Sequence, residues 1–318
     1  MYYFIVNPNS CSGSGLKIWN KVERYLETEG VSYHIYMTEG PGQAAEYAAQ
    51  ITRGCKEPRV IVVIGGDGTF NEVLDGMCFC NCITMGYIPA GTGNDLARGL
   101  KLPRSPIKGM KQILHPKYFK QIDYGVATYG EEAVRHRRFI VSAGIGLDAA
   151  VCHNLNYSGC KQFFGRIGLK RASYLMVAIK QYLKARPARG YILLDGVKRV
   201  EFNNIYFVSA QLQPYEGGGF RFSPSALYND GVLDICVLSH SSKLEIISIA
   251  LRAYFKRGKN KGMRIYNCKE AKIHLERPMA VHVDGESCQF QSEIEVRCIE
   301  RAVRMIVGLD SRKCIFIE

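Results

Sequence analysis

The sequence predicts an α/β protein with a β-rich second half: an N-terminal doubly wound parallel-sheet domain followed by an antiparallel domain. Three observations carry this. At 318 residues the chain exceeds one ordinary core, so two domains are expected. Strand-like and helix-like segments alternate through the first third. After Asp123 the texture changes to many strand-like runs with few helices between them.

In chain order, Tyr2–Val6 reads as a short apolar strand, followed by a Ser/Gly-rich loop from Asn7 to Gly15. A helix is expected from about Leu16 to Glu29, with Ile18, Val22, Tyr25 and Leu26 on one face. Val31–Met37 reads as a strand and Gln43–Ile51 as an Ala-rich helix. Val60–Ile64 is an unbroken β-branched run, the pattern of a strand buried on both faces in a parallel sheet. Ile83–Ile88 reads as another. Beyond the boundary, Phe139–Ala143, Tyr191–Leu194, Ile205–Ala210, Val232–Leu238, Lys272–Leu275, Ala280–Val283 and Ile294–Cys298 read as strands. Helices are expected only at about Phe163–Leu183 and Leu244–Phe255. The division is therefore residues 1–124 and 125–300, with the segment of about 301–318 expected to pack back on the first domain.

Composition narrows the classes. The chain is 47% hydrophobic and 22% charged with mean hydropathy −0.09, which excludes a disordered or collagen-like protein. The longest apolar runs fall far short of the ~20 residues needed to cross a bilayer. The N-terminus lacks a basic n-region and cleavage site, so a cytoplasmic protein without signal peptide is expected. Twelve cysteines fit a reducing compartment. The alternate spacing of Cys78, Cys80 and Cys82 is poor for closing a zinc site, and none of the seven histidines has metal-ligand spacing.

The charge is 42 − 29 = +13, with a pI near 9.2, which suggests an acidic partner. It is concentrated. Between Asp148 and Asp195 stand eight basic residues and no acid, and between Glu245 and Glu270 seven more. Within the first of these stretches, Lys161–Arg186 carries Phe164, Ile167, Leu175, Ile179 and Leu183 at helical spacing. Such a helix suits an anionic membrane surface, or a solvated face over the β-rich domain. No nucleic-acid-binding motif accompanies the charge, so nucleic acid is not an expected partner.

The chemistry concentrates in two glycine loops. Gly65-Gly66-Asp67-Gly68-Thr69-Phe70-Asn71-Glu72 follows the buried run Val60–Ile64 directly. Consecutive glycines between strand and helix bare backbone N–H groups to an anion, and a Cβ there would hold a phosphate off. Asp67 in such a loop requires a cation or a water network. The loop is neither a Walker A loop, lacking Gly-Lys-Ser/Thr, nor the dinucleotide G-x-G-x-x-G. Pro89-Ala90-Gly91-Thr92-Gly93-Asn94-Asp95 follows Ile83–Ile88. In a parallel sheet, loops leaving adjacent C-terminal strand ends converge on one crevice, so a shared phosphate site is expected.

Gly-Gly-Asp-Gly-Thr followed by Gly-Thr-Gly-Asn-Asp resembles the diacylglycerol kinase catalytic-domain family, which includes bacterial soluble lipid kinases and sphingosine and ceramide kinases. The resemblance extends over nearly the whole chain: Asn7-Pro8-Asn9-Ser10, Thr38, Gly144-Ile-Gly146-Leu-Asp148-Ala149, Gly217–Gly219 with Pro224 and Ala226, Asn229–Asp234, and Asp284-Gly285-Glu286. It implies a Rossmann-like first domain, a C-terminal antiparallel β-sandwich, and ATP in the interdomain cleft. The ATP contacts it implies are Asn7, Pro8, Asn9, Ser10, Cys11, Thr38, Gly65, Gly66, Asp67, Gly68, Thr69, Asn71, Thr92 and Asp95, with Asp67 also a catalytic residue. It implies Glu286 as the base that deprotonates a lipid hydroxyl, and a network of Asp67, Asp95, Asp123 and Asp230 that organises water and Mg2+. A structural Mg2+ would take Asp230 and the carbonyls of Leu227 and Val232. The implied acceptor is a membrane lipid, with diacylglycerol the default, reached by peripheral association with the inner face of the membrane. An edge-strand homodimer is conceivable. Cys11 departs from the family, which commonly has Gly there; a cysteine is expected to fit only with negative φ or a displaced loop. NAD kinase, with a similar Gly-Gly-Asp-Gly-Thr loop, and a non-catalytic nucleotide- or lipid-binding regulator are the alternatives.

Overall fold

A computed structural model describes residues 1–130, 133–157, 185–239, 242–255 and 263–308. The chain divides into two compact units, Met1–Ile122 together with the stretch that begins at Arg301, and Asp123–Glu300. The basic segment Lys161–Arg186, with the helix expected at Phe163–Leu183, lies outside the described residues except at its last two positions.

The first unit alternates strands and helices: β1 (Tyr2–Val6), α1 (Ser10–Thr28), β2 (Tyr33–Met37), α2 (Gln43–Thr52), β3 (Arg59–Gly65), α3 (Asp67–Gly76), β4 (Ile83–Pro89), α4 (Asp95–Gly99) and α5 (Pro106–Leu114). The strands pair in parallel in the order β2-β1-β3-β4, with Val6 opposite both Met37 and Ile64, and Ile64 opposite Ile88. Helices lie between successive strands because a parallel return needs a crossover. The core packs Phe4, Val62, Ile64 and Ile88 from the sheet against Trp19, Val22 and Leu26 of α1 and Met110 of α5. Phe4 meets Trp19 and Tyr33 edge-on, with ring centroids 5.2 and 5.6 Å apart.

Strand β5 (Tyr118–Tyr129) crosses the boundary. The second unit continues with β6 (Arg135–Phe139), β7 (Ser142–Gly146), α6 (Leu147–Tyr157), β8 (Ala188–Leu194), β9 (Lys198–Gln211), β10 (Leu233–Ser239), α7 (Lys243–Phe255), β11 (Met263–Cys268), β12 (Glu270–Val283) and β13 (Glu286–Val307). Its pairs are antiparallel: β11 to β10, β10 to β9, β9 to β7 and β8, β12 to β7, β8 and β13. Ile145, Val208, Ile235, Ile273, Val281 and Val296 share one core, while Ile246 and Ile249 of α7 cover Phe207 and Leu238. The end of β13 lies in the first unit, where Met305 pairs in parallel with Met85 of β4.

Several expectations are corrected. The run Phe139–Ala143 is two strands, because the N–H groups of Ile140, Val141 and Ser142 all donate to the Asp284 carboxylate at 2.9 Å instead of to one ladder. Lys272–Leu275 and Ala280–Val283 are one strand whose register shifts between His274 and Met279 and again between Ala280 and His282, as at β-bulges. Strands β5, β6 and β11 carry many polar or charged residues and gave no clean apolar run. Helical assignment begins at Ser10, six residues early, because a turn at Asn9–Gly13 runs into α1; Cys11, Ser12 and Gly13 depart from helical geometry with φ of 49°, 59° and 84°.

Phe4→Ala is expected to cost about 3–5 kcal/mol, read as an earlier denaturant midpoint in the emission of Trp19, the single tryptophan, which reports the first unit.

Candidate active site

In the first unit the loops after β1, β3 and β4 come together. β1 is prolonged by the Asn7 N–H on the Ile64 carbonyl (2.9 Å), and the Asn7 side-chain amide donates to Thr69 Oγ1 at 3.1 Å. Asn7 Oδ1 accepts the Asn9 N–H, which curls Asn7-Pro8-Asn9 back on itself. Buried Thr38 follows β2 and is held by its N–H on the Val6 carbonyl. Gly65, Gly66, Gly68 and Thr69 form the entry to α3, whose first N–H groups face the loop. A Cβ on Gly65 would overlap the Thr69 side chain, and one on Gly91 would stand 2.5 Å from Gly66 Cα. Two backbones therefore touch where side chains are excluded. Asn94 closes the second loop by exchanging hydrogen bonds with Gly91 in both directions, at 2.9 Å each.

Asp67 and Asp95 sit beneath these loops. Asp67 accepts the N–H of Asp95 at 2.9 Å and of Leu96 at 3.3 Å, so its carboxylate caps α4 from a distant loop. Asp95 pairs with Arg98. Burial raises the Asp67 pKa, and the Asp95 and Leu96 amides with Arg98 oppose the rise. Tyr87, on the Gly65 carbonyl at 3.3 Å, is pushed up well beyond the phenol range by burial and then by Asp67 and Asp95. Asn71 is fully buried one turn into α3. Thr92 reaches Cys11 Sγ at 3.8 Å and so ties the β4 loop to the β1 loop. Of the two ways expected to fit a cysteine, negative φ is not the one taken: Cys11 occupies the left-handed region that glycine favours, inside a turn of three such residues.

The second unit holds the remaining candidates. Asp123 is fully buried and accepts the Gly231 N–H at 2.8 Å, anchoring the turn that carries Asp230. Asp230 is exposed and accepts the Val232 N–H at 3.4 Å; Leu227 precedes it in the same loop. The Asp230 pKa is raised by desolvation, and Asp234 and Asp123 add to the rise. A carboxylate crowded by two others beside loop carbonyls has the donor chemistry that a hard cation takes. β12 and β13 form a hairpin whose two-residue turn, Asp284-Gly285, has φ of 46° and 82°, and Val283 stands opposite Glu286. Glu286 is half-exposed, with Arg137 Nη1 at 3.9 Å.

One cluster escapes sequence reading. His282 is fully buried, with Nε2 3.0 Å from Glu216 Oε1 and 3.3 Å from Asp148 Oδ2. The motif Gly144-x-Gly146-x-Asp148 now has a physical reason: a Cβ on Gly144 would enter the space of Asp148 and His282. Glu216 directly precedes the triple glycine and His282 lies two residues before the Asp-Gly turn, but 134 residues separate it from Asp148. No spacing rule joins them.

Fold comparison finds solved structures of the same architecture. Similar solved structures include a diacylglycerol kinase from Bacillus anthracis strain Sterne (TM-score 0.71, 21% identity, 96% of each chain). Yeast NADH kinase complexed with NADH is a more distant likeness (TM-score 0.54, 11% identity, 97% of this chain and 84% of that one). Residues 1–127 match the diacylglycerol kinase catalytic domain, and residues 140–307 match the YegS C-terminal NAD kinase beta sandwich-like domain. YtlR of Bacillus subtilis (strain 168) is 26% identical over 289 residues, covering 90% of this chain and 93% of that protein. The diacylglycerol kinase of the same strain is 28% identical over 284 residues, covering 89% and 88%. The chain belongs to the diacylglycerol kinase catalytic-domain family with a YegS-type C-terminal domain, and it is a lipid kinase.

Gly91→Ala is expected to force the β3 and β4 loops apart. The fold should lose about 1–3 kcal/mol, and phosphate transfer should fall about a hundredfold, measured by thermal unfolding and by lipid kinase assay.

Proposed function

We propose that the protein transfers the γ-phosphoryl group of ATP to the hydroxyl of a membrane lipid, with diacylglycerol the acceptor and phosphatidic acid the product. The observation that carries this reading is the bare-backbone contact of Gly66 and Gly91 under the N-terminus of α3, on a chain of the diacylglycerol kinase family. Such a surface offers amide donors to a polyphosphate at a distance that side chains would prevent. Asn7, Pro8, Asn9, Ser10 and Cys11, with Thr38, Thr69, Asn71 and Thr92, border it and bind the nucleotide. Asp67 and Asp95 keep the loops in place below.

In this reading Glu286 accepts the lipid hydroxyl proton as the oxygen bonds to the γ-phosphorus and the bond to the β,γ-bridging oxygen breaks, releasing ADP. Arg137, with Nη1 3.9 Å from Glu286 Oε2, would help to hold that carboxylate. Bound Mg2+ supplies charge neutralisation for the phosphates. Asp230 with the carbonyls of Leu227 and Val232 would hold a structural Mg2+, stiffening the turn that Asp123 anchors. Among the described residues no helix is long and apolar enough to cross a membrane. The acceptor is accordingly met by peripheral docking, drawn by the basic stretches. The NADH kinase likeness concerns the fold; the catalytic-domain match favours a lipid over NAD.

With radiolabelled ATP and a total lipid extract, label is expected in phosphatidic acid and absent from added NAD. Glu286→Gln should lower kcat at least a hundredfold while unfolding at the wild-type temperature; label in NADP alone, or a fully active variant, would refute the reading. Millimolar Mg2+ should raise the Tm of the wild type, and Asp230→Ala should abolish that rise, as followed by differential scanning fluorimetry.

A further inference from the structure

His282 sits at the end of β12, two residues before the turn that leads into Glu286. Its Nδ1 accepts the Gly285 N–H at 3.2 Å. Its Nε2 faces two carboxylates that are themselves fixed. Glu216 Oε2 accepts from Ser209 Oγ at 3.0 Å and from the Gln211 amide, and Asp148 Oδ1 accepts the Ala149 N–H at 2.7 Å. The groups facing the ring are thus Asp148 and Cys152 from α6, Glu216 from the loop after β9, and Gly285 from its own hairpin. All three ionisable side chains of the triad are buried, His282 completely.

Asp148, Glu216 and His282 offer ligand atoms within 4.8 Å of one another, the chemistry of a divalent cation site. Gly285 argues against that use. A metal on Nε2 takes that lone pair, and a metal-bound imidazole carries its proton on the other nitrogen, where it donates to an acceptor. Here the other nitrogen meets a backbone donor. The same contact decides the charge of the ring. Burial disfavours imidazolium, whereas Cys152, Asp148 and Glu216 draw a proton toward the ring. A second proton, however, would have to sit on Nδ1 and point at the Gly285 N–H. The hydrogen bond therefore selects the neutral ring protonated on Nε2, with that N–H directed at the two carboxylates.

We infer that His282, oriented by Asp148 and Glu216, is a positioning residue that fixes the Asp284-Gly285 turn and with it Glu286. The inference rests on the reading of Glu286 as the base. Asp284 supplies the second anchor, through its three backbone donors at Ile140, Val141 and Ser142. The turn is thus held at both of its residues, by the buried ring nitrogen of His282 and by the part-buried carboxylate of Asp284 itself.

Two measurements test this on the whole protein. In protein labelled with 15N-histidine, at neutral pH, His282 is expected to show a bare Nδ1 and a protonated Nε2. An imidazolium, an Nδ1–H ring, or a stoichiometric metal removed by chelator would overturn the inference. The second compares two substitutions that split the ring. His282→Asn keeps an oxygen where Nδ1 stood and so retains the Gly285 acceptor; His282→Gln keeps an N–H where Nε2 stood and loses that acceptor. His282→Asn should leave the Gly285 amide protected from hydrogen exchange and kcat within about tenfold of wild type. His282→Gln should expose that amide and lower kcat about a hundredfold at unchanged KM for ATP. Equal losses in both, or the reverse order, would show a merely structural histidine. The tautomer and the exchange rate are read without turnover, so they stand apart from the outcome for Glu286→Gln.

Discussion

The contact between the backbones of Gly66 and Gly91 governs the first unit's chemistry. β3 and β4 are adjacent and parallel, so their exit loops leave at the same edge, and only the lack of two side chains lets them close on each other. Everything nearby follows from that closure. Asp67 can then reach across to cap α4, Asn94 can lock its own loop, and Thr69 can receive Asn7. Asp67 is consequently a keystone of the loops as much as a candidate for the chemistry, and its desolvation is offset by the backbone donors it collects.

The second unit uses the opposite strategy. There the polypeptide invests in buried polar groups: Asp123, Ser209, Gln211, Glu216 and His282 are inside an otherwise apolar antiparallel fold, and the Asp148 side chain is nearly covered. Buried charges of this kind seldom stabilise a protein relative to a packed hydrocarbon core. The gain is geometric at two of them: Asp123 holds the Asp230-Gly231 turn and His282 the Asp284-Gly285 turn.

Much of this was legible in sequence where a local rule sufficed. The β-branched run Val60–Ile64 announced a doubly buried parallel strand, and Tyr2–Val6 and Gln43–Ile51 needed only periodicity. The Asp284-Gly285 pair before Glu286 is a dipeptide that two-residue hairpin turns favour. What failed was non-local. Nothing in Phe139–Ala143 tells that Asp284 will take three of its amides. β12 looked like two strands because bulges interrupt its alternation. Cys11 was judged by the general cost of a left-handed side chain, yet three consecutive residues share that conformation where the chain doubles back beside Pro8. The histidine triad draws on three distant segments that no local spacing joins.

Asp284 limits what its position can become. Three amide donors converge on two oxygens, so the site demands a group that accepts with both atoms of its fork. Asparagine has the right shape but would turn an NH2 toward a backbone N–H, and glutamate would push the hairpin out by one methylene. The aspartate of this Asp-Gly-Glu segment is therefore constrained by the direction of hydrogen bonding, independently of whatever proton its neighbour two residues on receives.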